Sequence, residues 1–219
     1  MLHLNTLTTN KTLSYKSVFK RWFHILFETE NFIAIPSVGA LVEGWLLIIP
    51  KQPHICIGSM DLAAIAELRG FVKEVKASLE SLYGDVVAFE HGPAGVHRPV
   101  GCGIDYAHLH LVPFPQTILA LARDEFPLLA WSPANGLETC VDYFKKAQDY
   151  LYVEDPFEGS FIASGPNIPS QLFRRLIAKK VYRPQKYDWR QYPEEATISA
   201  TLDRISTSCA TPTCLIGEI

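Results

Sequence analysis

Two histidines stand one residue apart in Tyr106-Ala107-His108-Leu109-His110-Leu111-Val112-Pro113. Side chains alternate across a strand, so Tyr106, His108 and His110 share one face while Ala107, Leu109 and Leu111 share the other. The aliphatic face predicts a core. The second face carries two groups that ordinarily titrate at about 6.5, held roughly 7 Å apart along a rigid backbone. That pairing suits a nucleophile or base with an acid beside it. A His-x-His pair is also met as one buried, hydrogen-bonded histidine with a surface neighbour, or as a metal site. Here the run Gly101-Cys102-Gly103-Ile104-Asp105 leads into the pair, and an earlier strand ends in Glu90-His91-Gly92. Glycines at such places let backbone approach a ligand, and exposed N–H groups there can meet phosphate oxygens.

Several elements must position these groups. Residues 85–90, with Val86, Val87, Ala88 and Phe89, predict a buried strand beside the histidine strand at 106–112. Between them, residues 92–105 form a Gly-, Pro- and His-containing loop whose length points to function. Leu62, Ile65, Leu68, Val72, Val75, Leu79 and Leu82 recur at helical spacing, so residues 59–83 predict a long helix, capped by Ser59 and ended by Gly84. Residues 31–36 and 40–49 predict an antiparallel strand pair with a bend at Glu43-Gly44, closed by Pro50 and Pro53. Ahead of them, residues 18–27 read as a short helix or an irregular lead-in and residues 28–31 as a turn.

Beyond Pro115 the pattern changes. Residues 116–123 read as a short helix or strand, 137–148 as a helix, and 150–154 with 160–163 as a hairpin. Residues 187–191 make an aromatic turn, and 196–205 a closing helix. Pro169-Ser170-Gln171 opens a helix over 170–180 that carries Arg174 and Arg175. Such a helix start can receive an anion, or it can be a capped amphipathic helix with solvated arginines.

Composition bounds the rest. With 219 residues, 48% hydrophobic and 20% charged, the chain is that of a globular protein. A net charge of −3 gives no footprint for broad nucleic-acid binding. No apolar run approaches the ~20 residues that span a bilayer. Residues 1–16 lack the charged start and apolar block of a secretory signal and read as a flexible arm. Cys56, Cys102, Cys140, Cys209 and Cys214 are odd in number and contain no Cys-x-x-Cys pair, which fits a reducing cytoplasm.

An ordered set of segments now stands out: Phe32-Ile33-Ala34-Ile35, then Glu43-Gly44-Trp45-Leu46-Leu47-Ile48-Ile49-Pro50-Lys51, a helix, Glu90-His91-Gly92, and Gly101 through Pro113. This set resembles the histidine triad superfamily of nucleotide hydrolases and transferases, in particular its diadenosine tetraphosphate phosphorylase-like branch. The resemblance covers about half the chain. Anchored on Pro113, it aligns His108 with the nucleophilic histidine and His110 with the last one, while Tyr106 stands in place of the first. Trp45 replaces another histidine common in the family.

The resemblance implies an α+β, HIT-like fold: an antiparallel sheet of about five strands with a long helix, and a mixed C-terminal extension. It implies an arm at 1–16, a catalytic domain at 17–115, an extension at 116–205 packed on it, and a loose tail at 206–219. It also implies a nucleotide phosphohydrolase or nucleotidyltransferase in which His108 attacks an α-phosphorus and forms a covalent nucleotidyl-histidine. A backbone carbonyl would hold the far nitrogen of His108, and a protonated His110 would bind a phosphate oxygen. Ser37, Lys51, Glu90, Cys102, Gly103, Tyr106, Gln171 and Arg174 are the candidate substrate-binding residues. No metal or other cofactor enters that scheme, the partner is a small nucleotide, and a homodimer is the expected assembly. His91 is a candidate indirect donor. Two other accounts stay open: a nucleotide-binding protein with little turnover, and a metalloprotein with His91, Glu90, His108 and His110 as ligands.

Overall fold

A computed structural model describes residues 16, 23–101, 104–165 and 167–209. Its centre is one antiparallel sheet in the order β1-β2-β3-β5-β4-β7-β8-β6. The first five strands are β1 (Phe27–Glu28), β2 (Phe32–Pro36), β3 (Leu46–Pro50), β4 (Val86–Gly92) and β5 (Leu109–Pro113). The segment beyond Pro115 adds β6 (Ala130–Pro133), β7 (Tyr150–Asp155) and β8 (Gly159–Ser164) to the same sheet. The sheet therefore has eight strands where about five were expected. β7 pairs directly with β4, so the extension continues the sheet.

The helices are α1 (Leu62–Tyr83), α2 (Ile118–Glu125), α3 (Glu138–Lys145), α4 (Leu172–Lys180) and α5 (Glu195–Cys209). α1 matches the predicted span except at its start. Ser59 ends a short 3-10 turn, and Asp61 is the cap, its carboxylate accepting from the Ala64 N–H at 2.8 Å. Gly84, at a φ of +83°, ends the helix as expected. α5 runs past the predicted end at Ile205 to Cys209, so residues 206–209 are helical, and the rest of the expected tail lies outside the described residues. Residues 18–22 of the expected lead-in and 1–15 of the arm also lie outside them. Among the described residues no helix is long and apolar enough to cross a membrane.

Helices cover both faces of the sheet, which is why its central strands read as nearly unbroken apolar runs. On one face Val86, Ala88, Leu109 and Leu111 pack with Leu68, Val72, Val75 and Leu79 of α1. On the other, Val87, Phe89 and Val112 pack with Ile118 and Leu119 of α2 and with Leu172, Phe173 and Ile177 of α4. Each such side chain contributes about 1.5–3 kcal/mol by leaving water. β5 alternates, so His110 falls on the α4 side while Leu109 and Leu111 face α1. Regular pairing of β5 starts at Leu109, later than the predicted 106, and His108 lies just ahead of it.

The same alternation puts Glu90, a candidate substrate-binding residue in the sequence, on the α1 side, away from the histidines. One carboxylate oxygen accepts from the Ile57 N–H at 2.7 Å and the other from the Tyr150 hydroxyl at 2.5 Å. That hydroxyl also accepts from the Gly58 N–H at 2.9 Å. The Tyr150 ring reaches Glu90 by crossing Gly92, where a Cβ would lie 2.0 Å from the ring. Burial raises the Glu90 carboxyl to about 7, with the Tyr150 and Ile57 hydrogen bonds opposing it.

Two outcomes are expected. Gly92→Ala should destabilise the fold by about 1–3 kcal/mol or more through overpacking, and a urea midpoint equal to that of the parent would refute the tight crossing of Tyr150. Between pH 4.5 and about 7 the folded protein retains a Glu90 proton that the unfolded chain has released, so this group's contribution to stability falls as pH rises through that window. The stability of the parent relative to Glu90→Gln should therefore decline from pH 5 to pH 8 in denaturation curves, and a constant difference would count against it.

Candidate active site

His108 is oriented by its own strand. Its Nδ1 lies 2.7 Å from the Tyr106 carbonyl, which can only accept, so Nδ1 carries the proton and Nε2 carries the lone pair. This is the carbonyl the sequence reading required. Tyr106 is itself anchored: its ring packs among Ile33, Ile35, Leu47 and Ile49, and its hydroxyl donates to the carbonyls of Pro50 at 3.0 Å and Lys51 at 3.2 Å. The next residue is tied as well, the Ala107 N–H donating to the His54 carbonyl at 2.7 Å. Tyr106 thus meets His108 through its main chain. Burial lowers the His108 pKa, the Tyr106 bond opposes this, and the Arg174 charge adds to the lowering.

His110 stacks on Phe89, with ring centroids 4.6 Å apart and planes at 20°. Its ring centre lies 5.0 Å from that of His108. The indole N–H of Trp45 donates to His110 Nδ1 at 3.0 Å. Burial, followed by the charges of His108, His91 and Arg174, holds the His110 pKa well below its usual value. That direction favours the neutral ring, whereas the resemblance implied a protonated His110 on a phosphate oxygen.

His91 joins the group more closely than the sequence reading allowed. It follows Val87 and Phe89 at a spacing of two, so it shares their face, with its ring 6.4 Å from His110 and 5.3 Å from Phe173. Burial, aided by the charges of His108 and Arg174, lowers it to about 3. Counting alternation back from Phe89 was the signal that would have found it. It would also have sent Glu90 to the opposite face, and the suggested His/Glu metal set is thereby broken. Among the described residues no group of three His, Cys, Asp or Glu side chains is arranged to hold a metal ion.

α4 lies across this side of the sheet. Phe173 packs on Phe89 at 4.6 Å, and the hydroxyl of Ser170 donates to the Gly101 carbonyl at 2.8 Å, fastening the helix start to the glycine loop. Arg174 is 1% exposed and neither solvated nor at an open helix end. Its guanidinium donates to the carbonyls of Tyr187, at 3.0 Å, and Gly39, and lies 4.7 Å over the Trp45 ring. Gly39 permits this approach, because a Cβ there would come within 2.8 Å of the guanidinium. Gln171 is buried at a φ of +59°, and its Oε1 has no hydrogen-bond partner among the described residues.

The remaining candidates disperse. Lys51 forms an ion pair with Glu28 at 2.6 Å and donates to the Thr29 carbonyl, which ties it to the β1 turn. Ser37 is buried beside Trp45, its hydroxyl donating to the Val38 carbonyl at 3.3 Å. Cys102 and Gly103 lie outside the described residues.

No family model and no curated protein matches the chain. Among solved structures it is similar to a hypothetical histidine triad nucleotide-binding protein from Sulfolobus tokodaii, at 24% identity and a TM-score of 0.36 over 44% of this chain. A Hit-like protein involved in cell-cycle regulation from Bartonella henselae gives 14% identity and a TM-score of 0.39 over 61% of this chain and 95% of its own. A hypothetical protein from Leishmania major gives 18% and 0.35 over 42% of this chain. The chain spans 65% of the Sulfolobus protein and 64% of the Leishmania protein, under two thirds of each. The strand, helix and His-x-His segments stand in the order read from the sequence, with a main-chain carbonyl behind His108.

Proposed function

We propose that the protein cleaves or transfers at the α-phosphate of a small nucleotide, with His108 as the nucleophile. The observation that carries this reading is the Nδ1–H bond to the Tyr106 carbonyl, which leaves the lone pair of His108 on Nε2. Nε2 attacks phosphorus, the bond from phosphorus to the leaving oxygen breaks, and a nucleotidyl-histidine forms. The positive charge that develops on the ring is shared through Nδ1–H with the carbonyl. Water or inorganic phosphate then attacks the same phosphorus and releases His108. His110 donates to a non-bridging phosphate oxygen, stabilising charge as it builds. Residues 17–115 supply the reacting groups and residues 116–205 form the cover. Gln171 supplies a further contact to the leaving group, its unused acceptor favouring a ligand donor. The resemblance favours a homodimer, and the buried thiols of Cys56 and Cys140 suit a reducing cytoplasm.

A second reading, nucleotide binding without turnover, is favoured by one feature: His108 is only 7% exposed. One experiment separates the two. Dinucleoside polyphosphates and nucleoside phosphoramidates, with and without inorganic phosphate, should give an acid-labile mass increase of one nucleoside monophosphate on the parent. His108→Asn should give none and should lose at least about 10³-fold in rate. Binding with equal trace turnover in both proteins would establish the second reading. The pH profile adds a check. Because the folded His108 pKa is lowered, its neutral form persists below pH 6.5, so the acid limb of the rate should be centred below 6.5. A half-loss of rate centred at 6.5 would contradict a buried nucleophile.

A further inference from the structure

His108 and His110 meet opposite kinds of hydrogen-bond partner. His108 Nδ1 faces an oxygen that can only accept, whereas His110 Nδ1 faces an indole N–H that can only donate. From this opposition we infer that Trp45 is a positioning residue, which fixes His110 in the tautomer complementary to that of His108, so that the pair works as a neutral nucleophile beside a neutral donor.

The steps are short. An indole nitrogen has no acceptor capacity, so a 3.0 Å contact with an imidazole nitrogen requires that nitrogen to be bare. A neutral imidazole with Nδ1 bare carries its proton on Nε2. His108, bonded through Nδ1–H, has its lone pair on Nε2. Adjacent rings on one strand thus present a lone pair from one Nε2 and a proton from the other. Protonating His110 at Nδ1 would break the Trp45 bond and set two N–H groups against each other, so the indole excludes the imidazolium as well as the other tautomer.

The surroundings agree. Among the described residues the titratable and charged groups facing His110 are His108 just ahead of β5, His91 on β4 and Arg174 on α4, and none of them is a carboxylate. Glu90, next to His91 in sequence, is across the sheet and bonded to Ile57 and Tyr150, and Asp105, the acid nearest to His110 in sequence, is engaged by His97. The constant charge of the site belongs to Arg174, which cannot be deprotonated. From its place over the Trp45 ring at 4.7 Å it polarises the indole and strengthens its N–H as a donor. A tryptophan in place of a histidine is thereby given a purpose: a second titrating ring is exchanged for a donor that never changes its protonation.

The tautomer assignment stands on the geometry alone, and its purpose rests on the nucleotidyl-transfer reading. Two-bond ¹H–¹⁵N correlation spectra of the ¹⁵N-histidine-labelled full chain, without ligand, test it directly. At pH 7 and at pH 6, His108 should show a proton-bearing Nδ1 and a bare Nε2, and His110 the reverse. Trp45→Phe, which keeps an aromatic ring but removes the donor, should give His110 mixed tautomers at both pH values. In turnover it should lower kcat about tenfold with KM within about twofold. A proton on Nδ1 of His110 in the parent, or a His110 spectrum unaltered by Trp45→Phe, would overturn the inference. The parent spectrum answers even should Trp45→Phe fold poorly. Complementary tautomers in a protein that never forms a nucleotidyl-histidine would uphold the role of Trp45 while ending the functional reading.

Discussion

A ring nitrogen can be kept bare only while its partner across the ring is held by something that does not move, and here that anchor is the main chain at Tyr106. Three restraints act on one peptide: a ring wedged among β-branched and leucine side chains of β2 and β3, a hydroxyl fastened to the end of β3, and the Ala107 N–H tied to His54. Each is ordinary in strength, about 1 kcal/mol for a hydrogen bond. Together they set the direction of a carbonyl, and the carbonyl sets the chemistry of a histidine. The tyrosine at this position stiffens the backbone ahead of His108.

The second organising fact is segregation by face. Along β4 the residues alternate between two covered sides, and the only carboxylate of the strand goes to the side away from the imidazoles. Beside buried histidines a carboxylate would favour imidazolium, while the guanidinium of Arg174 disfavours it. Neutral rings follow from that division. The division also keeps the carboxylate among donors that do not depend on a ligand, the Ile57 N–H and a tyrosine hydroxyl.

Periodic features were legible in the sequence because periodicity is a local property. The long helix, the hairpin of β7 and β8, and the sharing of one face by Tyr106, His108 and His110 all follow from spacing. Its start was missed by two residues because Ser59 and Asp61 are both good caps, and only the 3-10 turn at Ile57 chooses between them. β6 was missed because an edge strand that is half exposed and ends in proline carries little pattern. For Arg174 the sequence leaves an anion site and a solvated arginine both open, because nothing local reveals that Gly39 and Tyr187 converge on it from distant segments. Alternation along β4 separates Glu90 from His91, a division that the resemblance does not carry.

The pairing of β7 with β4 bears on how this chain can be divided. Register from Ala88 to Gly92 is shared with Glu154 back to Tyr150, and α4 seals the adjoining surface with Phe173. Severing the polypeptide after Pro115 would bare a row of amide and carbonyl groups along the middle of the sheet and strip the lid of hydrocarbon from the imidazoles. An unprotected edge of that kind recruits other strands. The half that bears the histidines is therefore no module to be lifted out, and the later half is a structural organ of the earlier one.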